Sequence, residues 1–462
     1  MAKGDTMEFR KLIEENMDSL VADLQGCIQI PSLYRADDSG YPYGKSVQKC
    51  LEYMLHKAEA MGFRTGNMDN HVGWCEYGEG EEMVAVLGHL DVVPAGDGWT
   101  FDPWGGEIRD NRIFGRGTMD DKGPSIAALY ALAALRDSGL PIRRRIRVLF
   151  GCNEESGSGD MKYYLSHGGE IPVMGFTPDG EYPVINGEKG IINVTYGKTL
   201  HQTGTLRLVS IHGGTAPNVV PAAASAKLAC DGELAKRIAQ LHAPGLCFTA
   251  AGDGVFVEAM GVSAHGSTPE QGKNAIGRLV LALDTLPFEG EARDTIHFLA
   301  ETLGMETDGT SAGIALSDEV SGKLSLNWGT LNLENDHLSM KINYRYPVTK
   351  CYDDCAPILD GKFLAAGFEK EAQLHKERLY VPEDSELVST LMKVYREQTG
   401  LMDKPKSIGG GTYAKNLPNI VAFGPIFPGD EIREHKPDEF LEIPRLMQNA
   451  QIIAAAMYEM AK

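Results

Sequence analysis

The chain has 462 residues, 43% of them hydrophobic and 23% charged, which is too long for one ordinary core and calls for two or more domains. Its formal net charge of −20 argues against nucleic acid and anionic membrane as partners, because both reward basic patches. No run approaches the roughly 18 apolar residues of a membrane span, and Met1 to Glu15 hold no apolar leader core. The eight cysteines have no repeating spacing and fit reduced thiols in a cytoplasm better than a zinc ribbon.

In chain order, residues 9–25 read as one amphipathic helix that Pro31 and Ser32 break. A second helix is predicted over 46–61, with Val47, Leu51, Met54, Leu55 and Ala58 on one face and Gly62 at its end. Met83-Val84-Ala85-Val86-Leu87 is a short apolar run with β-branched residues, the pattern of a buried strand in a parallel sheet. The predicted strand covers 83–93, so His89 and Asp91 share a parity at its carboxyl end. A loop rich in Gly, Pro and Trp follows over 94–106, then a hairpin-like stretch ending at Arg116-Gly117. Thr118-Met119-Asp120-Asp121-Lys122-Gly123-Pro124 leads into an alanine- and leucine-rich buried helix over 125–135. Residues 146–150 form the next strand and run directly into Cys152-Asn153-Glu154-Glu155-Ser156-Gly157. A helix and another short strand lead to Phe176-Thr177-Pro178-Asp179-Gly180.

The repeat of strand, acidic loop and helix predicts an α/β catalytic domain with a doubly wound, mostly parallel sheet and its chemistry at the strand ends. Each end offers an imidazole or a carboxylate: His89 with Asp91, Asp120 with Asp121, Glu154 with Glu155, then Asp179. An Asp before a helix also serves to cap orphan N–H groups. For Asp120 or Asp121 alone that reading stands level with a functional one, but it explains four successive strand ends poorly. Mixed His and carboxylate donors suit zinc, cobalt or manganese, whereas thiolates would point to structural zinc.

From Gly190 the texture changes to alternating strands at 191–196, 206–211 and 255–260, with a helix at 275–286. This reads as an α+β lid domain inserted at 189–380, leaving 1–188 and 381–462 for the catalytic domain. Val209-Ser210-Ile211-His212-Gly213-Gly214 with Asn218 before a strand is like Leu324-Ser325-Leu326-Asn327-Trp328-Gly329 with Asn332 before a strand, which suggests an internal duplication. A helix at 385–398, a strand at 421–423 and a closing helix at 443–460 resume the first domain. His435 lies in Glu434-His435-Lys436-Pro437-Asp438-Glu439, between that strand and the last helix.

Taken together, G-H-L-D-V-V-P from Gly88, G-R-G-T-M-D-D-K-G-P from Gly115, E-E-S-G-S from Glu154, P-D-G from Pro178 and E-H-K-P-D-E from Glu434 resemble the cocatalytic metallopeptidases. That superfamily includes aminoacylase, the glutamate carboxypeptidases and succinyl-diaminopimelate desuccinylase, and the likeness covers nearly the whole chain. Within it, F-P-G from Phe427, N-G-E-K-G from Asn186, R-Y-P-V from Arg345 and G-G-G-T-Y from Gly409 look like the bacterial carnosinase-like dipeptidases that cleave β-Ala-Xaa and related dipeptides.

By position, the resemblance implies two divalent metal ions per chain, zinc first, with manganese or cobalt as alternatives. One would be held by His89 and Asp179 and the other by Glu155 and His435, with Asp120 bridging. Glu154 would be the general base and Asp91 the partner that orients His89. The Asp120–Asp121 bond would be cis, with a helix cap as the alternative reading of Asp121. Two ions about 3.5–4 Å apart share a water, lower its pKa and polarise the scissile carbonyl. The implied reaction is attack by metal-bound hydroxide, with Glu154 carrying the proton to the leaving amine.

In the inserted domain, the stretch from Gly261 to Pro269 resembles the family's lid motif and implies that His265 donates to the oxyanion. Asn218 resembles a second lid donor. Arg345 resembles the group that pairs with the substrate's terminal carboxylate, and Gly410, Gly411 and Thr412 offer backbone N–H groups to it. The plainer readings are a surface His, a turn Asn and a strand-edge Arg in a salt bridge. Dimeric relatives use a lid of half this size. The insert, at about 190 residues, is large enough to be two such units fused, which predicts a monomer carrying its whole site, with a homodimer as the alternative.

The function expected is hydrolysis of unblocked dipeptides in the cytoplasm. The alternative is an N-acyl-amino-acid amidohydrolase, of desuccinylase or deacetylase type, using the same site. A non-catalytic binding protein of this fold would be marked by loss of Glu154 or a ligand, and none is lost.

Overall fold

Residues 3–252 and 254–462 are described here by a computed structural model. The chain divides into two units, one made of Met1–Asn186, Val381–Lys406 and Gly411–Lys462, the other of Gly187–Tyr380 and Ser407–Gly410.

The first unit is built on a sheet whose order runs Arg64–Met68, Val72–Tyr77, Arg145–Gly151, Met83–His89, Met174–Thr177, Ile420–Ala422 and the strand that begins at Ile185. The four central strands are parallel, with Met83 opposite Arg145, His89 opposite Gly151, Val84 opposite Met174 and Ile420 opposite Gly175. Antiparallel pairing is confined to the edges. Every residue of Met83–His89 is buried, which explains its unbroken apolar run: a central parallel strand has no wet face. Helix Lys45–Ala60 covers the first two strands, while Lys122–Ser138 and Ile443–Ala461 pack on each other and over the central pair. A small antiparallel sheet joins Glu107–Arg109 and Arg112–Phe114 to Phe440–Glu442. It draws the segment after His435 alongside the loop that carries Asp120.

Several boundaries differ from the sequence reading. The helix expected over 9–25 is two, Lys3–Glu15 and Met17–Ile28. Asn16 between them leaves the helical region (φ −105°, ψ 6°) and its amide donates to the Leu12 carbonyl, the local competition that makes Asn a breaker. The strand expected over 83–93 ends at His89: Leu90 N–H still reaches the Gly151 carbonyl, but Val92 N–H turns to Ser32. The helix expected from 125 begins at Lys122, since Pro124 is tolerated in a first turn, where its missing N–H would be an orphan anyway.

The second unit is an eight-stranded antiparallel sheet, ordered Leu246–Ala251, Gly254–Met260, Ala223–Ala229, Arg207–Gly213, Ser325–Glu334, His337–Tyr346, Gly190–Thr199 and Glu369–Lys376. Ile192, Val194 and Tyr196 alternate inward into a core shared with helices Ala275–Asp284, Gly290–Thr302 and Ala356–Ala365, the period of two expected of a sheet with one covered face. The two segments whose likeness suggests duplication are neighbouring strands, with His212 opposite Asn332. Asn332 therefore lies inside a strand and not before one, whereas Asn218 follows its strand. Among the described residues, no helix is long and apolar enough to cross a membrane.

Candidate metal centre and active site

The side chains foreseen at the strand ends of the first unit converge. His89 Nε2 stands 3.0 Å from Asp120 Oδ1 and 4.0 Å from Asp179 Oδ2. His435 Nε2 stands 3.0 Å from Asp120 Oδ2 and 3.1 Å from Glu155 Oε1. Two groups result, His89 with Asp120 and Asp179, and Asp120 with Glu155 and His435. In each, one donor atom per residue lies within 4.8 Å of the others. Asp120 belongs to both, and turns one carboxylate oxygen to each.

The electrostatics of this donor set call for positive charge at its centre. Burial pushes Asp179 upward, and Asp120's charge adds to it. Burial likewise raises Glu154 well above the usual carboxylate range, and the charge of Asp179 raises it further. Burial works against a charged His89, but hydrogen bonds to Asp120 and Asp91 outweigh it and drive the imidazole towards its protonated form. Hydrogen bonds to Asp120 and Glu155 do the same to His435. Oxygen and imidazole donors with no thiolate fit zinc, manganese or cobalt.

Around these groups the loops are held by buried carboxylates that accept from backbone N–H groups. Asp91 accepts from Glu154 N–H (3.0 Å) and Glu155 N–H (3.1 Å), while its backbone carbonyl stands 3.0 Å from His89 Nδ1. It thus orients the imidazole and aims the two glutamates. Asp121 does not cap the helix behind it: its carboxylate accepts from His89 N–H (3.0 Å) and Ser125 Oγ (3.2 Å), and the Asp120–Asp121 bond is cis. Glu439, fully buried, accepts from Gly117, Met119 and Asp120 N–H at 3.0, 2.8 and 3.2 Å and from Arg116 Nη1 at 2.6 Å. Asp160, also fully buried, accepts from Cys152 N–H (2.6 Å), Asn153 N–H (2.8 Å) and Tyr413 OH (2.5 Å).

The sequence reading assigned nothing to Glu439, Asp160, Tyr413 or Glu434. Glu434 adds a further carboxylate beside the cluster, raised to about 8 by burial and by the charges of Asp120 and Asp179. The only available signal was position: Glu434 and Glu439 flank the His435 motif, Tyr413 ends the glycine run, and Asp160 follows the Glu154-Glu155 loop.

The remaining candidates lie in the second unit, apart from Gly411 and Thr412. His265 is exposed and faces Val219 across an isolated bridge. Its Nδ1 lies 2.6 Å from Ser267 Oγ and accepts from Ser267 N–H at 3.4 Å, which assigns the ring proton to Nε2. Burial and the charge of Arg345 lower its pKa from the usual imidazole range. Asn218 is exposed, and its carbonyl accepts from Gly266 N–H. Arg345 is 4% exposed; it donates to Asn343 Oδ1 (3.2 Å) and to the Gly409 carbonyl (2.6 Å), and burial lowers its pKa to about 10. It has no carboxylate partner among the described residues, so the strand-edge salt bridge is absent. Gly410 follows the carbonyl that Arg345 engages. In the first unit, Gly411 and Thr412 lead into the turn Tyr413–Asn416, where the Thr412 hydroxyl accepts from Ala414 N–H.

The model of peptidase family M20/M25/M40 matches residues 85–459. The chain belongs to that family. This M20 chain is 38% identical to the putative dipeptidase YtjP of Bacillus subtilis (strain 168) over 470 residues, covering 99% of this chain and 100% of the relative. It is 34% identical to the Beta-Ala-Xaa dipeptidase of Lactobacillus delbrueckii subsp. lactis, over 99% of each. Among solved structures it is similar in fold to the aminoacylhistidine dipeptidase of Vibrio alginolyticus, with a TM-score of 0.61 at 16% identity over 96% of each chain. Human carnosine dipeptidase 1 gives a TM-score of 0.54 at 15% identity, covering 98% of this chain and 99% of that one. The M20 chain is thus a metal-dependent peptidase, with a catalytic α/β unit and an α+β unit.

Proposed function

We propose that this metal-dependent peptidase hydrolyses unblocked dipeptides of the β-Ala-Xaa and Xaa-Xaa type, with two divalent ions per chain and Glu154 as general base. The observation that carries the reading is Asp120, one carboxylate placed between two histidine–carboxylate groups, with the half-buried Glu154 beside them. His89 and Asp179 would hold one ion and Glu155 and His435 the other, with Asp120 shared; zinc suits these donors first. When bound, the ions polarise the scissile carbonyl and acidify a water. The chain's own part is proton movement and positioning. Glu154, raised by burial, takes the water's proton and hands it to the leaving amine, while Asp91 keeps its loop aimed.

Two residues of the second unit have the chemistry the reaction needs. His265 offers an Nε2–H to a developing oxyanion. Arg345, buried without a carboxylate among the described residues, suits the terminal carboxylate of a dipeptide, and Asn218 and the Gly410-Gly411-Thr412 run are proposed as further donors. Relatives named as dipeptidases, including the Beta-Ala-Xaa enzyme, favour dipeptides over N-acyl amino acids. We assign the working form as a monomer in the cytoplasm; the eight free cysteines agree with a reducing compartment.

The test is metal analysis of the purified chain joined to a panel of β-Ala-His, Ala-Ala and N-acetyl- and N-succinyl-amino acids, with zinc or manganese. Two ions per chain and hydrolysis of the free dipeptides are expected. Faster cleavage of the acylated set would move the assignment to the amidohydrolase. Sedimentation as a dimer that loses activity on dissociation would defeat the monomer.

A further inference from the structure

The structure assigns to Tyr413, acting with Asp160, the positioning of the catalytic loop: a single residue, by its hydroxyl and its backbone N–H, ties the general base's loop to Asp179. The inference rests on Glu154 being the base.

Three contacts converge on Tyr413, which is fully buried at the start of the turn Tyr413–Asn416. Its backbone N–H donates to Asp179 Oδ2 at 3.3 Å. Its ring meets the His89 imidazole edge-on, with centroids 5.8 Å apart and planes at 87°. Its hydroxyl donates to Asp160 Oδ2 at 2.5 Å, the same oxygen that accepts the N–H groups of Cys152 and Asn153, the two residues before Glu154. Asp160 is fixed in its turn, because its Oδ1 accepts from Met161 N–H at 2.7 Å. Asn153 secures the far side of the loop, its Oδ1 accepting from Gly159 N–H and its carbonyl from Ser158 N–H. Asp91 and Asp160 therefore hold the base loop from either end, and Asp160 connects it, through Tyr413, to Asp179.

The close approach leaves its mark on the sequence. Gly151 ends the strand Arg145–Gly151 directly below the loop, and a Cβ there would lie 1.8 Å from the Tyr413 hydroxyl oxygen. That glycine is required by the hydroxyl and not by its own backbone, which has no positive φ. A buried tyrosine placed merely to fill space would not need its oxygen, and phenylalanine would serve. Here the oxygen is both crowded and bonded to a fully buried carboxylate, which would otherwise be left one donor short.

The link works on chemistry rather than on substrate affinity. A base displaced by a fraction of an ångström from the proton it must take loses rate, while groups that bind the substrate's ends are untouched. The experiment compares Tyr413→Phe, Asp160→Asn, their double variant and Gly151→Ala with the wild type. Each is loaded with manganese or zinc, checked for ions per chain, and assayed on the best substrate of the dipeptide and N-acyl panel. Expected for Tyr413→Phe and Asp160→Asn is a kcat at least tenfold lower at full metal loading, with KM within twofold. The double variant should lose no more than the worse single one, because both break the same link. Gly151→Ala should act in the same direction by pushing the hydroxyl away.

A kcat within twofold of wild type for Tyr413→Phe, losses that multiply in the double variant, or a loss that follows metal content alone would overturn the proposal. Should Tyr413→Phe not accumulate as folded protein, the same criteria apply to Asp160→Asn and Gly151→Ala. If none of the three folds, Tyr413 is a structural strut and the proposal falls. Failure of the functional reading is visible separately, in the wild type's choice of substrate or in a Glu154→Ala variant that keeps its rate.

Discussion

The two units hold their functional side chains by opposite means. In the first, the segments that carry His89, Asp120 and Glu154-Glu155 are gripped from behind by buried carboxylates, Asp91, Asp121, Asp160 and Glu439, that accept from backbone N–H groups. In the second, His265 and Asn218 are exposed, the first bonded to Ser267 two residues on and the second held through its backbone carbonyl by Gly266 N–H, while Arg345 is buried. A donor set for cations has to be fixed before they arrive, because like-charged oxygens at this spacing repel each other. Groups that meet a substrate gain from remaining accessible.

The contrast is most sharply broken at Asp120. Asp120→Ala should abolish activity and also release metal, seen in ions per chain, because both groups lose a donor. Glu154→Ala should cost turnover by roughly 10²–10⁴-fold, the span of general-base catalysis, yet leave the metal content per chain at the wild-type value. A variant that kept substantial rate would show the base to lie elsewhere. Glu439→Ala leaves the Arg116 guanidinium buried without its partner, and breaking such a pair costs about 3–5 kcal/mol. Denaturant unfolding should record that loss, and metal affinity should fall with it.

In the second unit the effects are smaller and of another kind. Arg345→Ala should raise KM for free dipeptides while metal content stays unchanged. The charge-assisted bonds lost are worth roughly 2 kcal/mol, about 30-fold in affinity at 1.4 kcal/mol per decade. Asn274→Ala should leave kcat alone. It removes the cap that accepts from Ile276 and Gly277 N–H, a loss of about 1 kcal/mol measurable as a lower melting temperature.

What the sequence revealed follows the same division. His89, Asp120, Glu155, Asp179 and His435 could be singled out because each stands at a strand end or in a loop with its own motif, and the structure draws them together. Asp160 and Glu439 could not. A carboxylate that accepts from backbone amides leaves no periodicity, and an Asp in the first turn of a short helix reads as a cap. Tyr413 reads as core because it is core; only its oxygen sets it apart. The break at Asn16 was hidden by a face that continues across it, since Phe9, Ile13, Leu20 and Leu24 are all buried. The edge strand Arg64–Met68 lacks the unbroken apolar run of Met83–His89, so it reads as a loop when taken alone.

Glu439 grips a loop 319 residues earlier in the chain, at Asp120 N–H, and His435 comes from the same late segment. During synthesis, every strand of the first sheet is made before this grip can form. The proposed centre therefore waits on residues 434–439, and fragments truncated before Glu434 should emerge without a competent centre however well their sheets have formed.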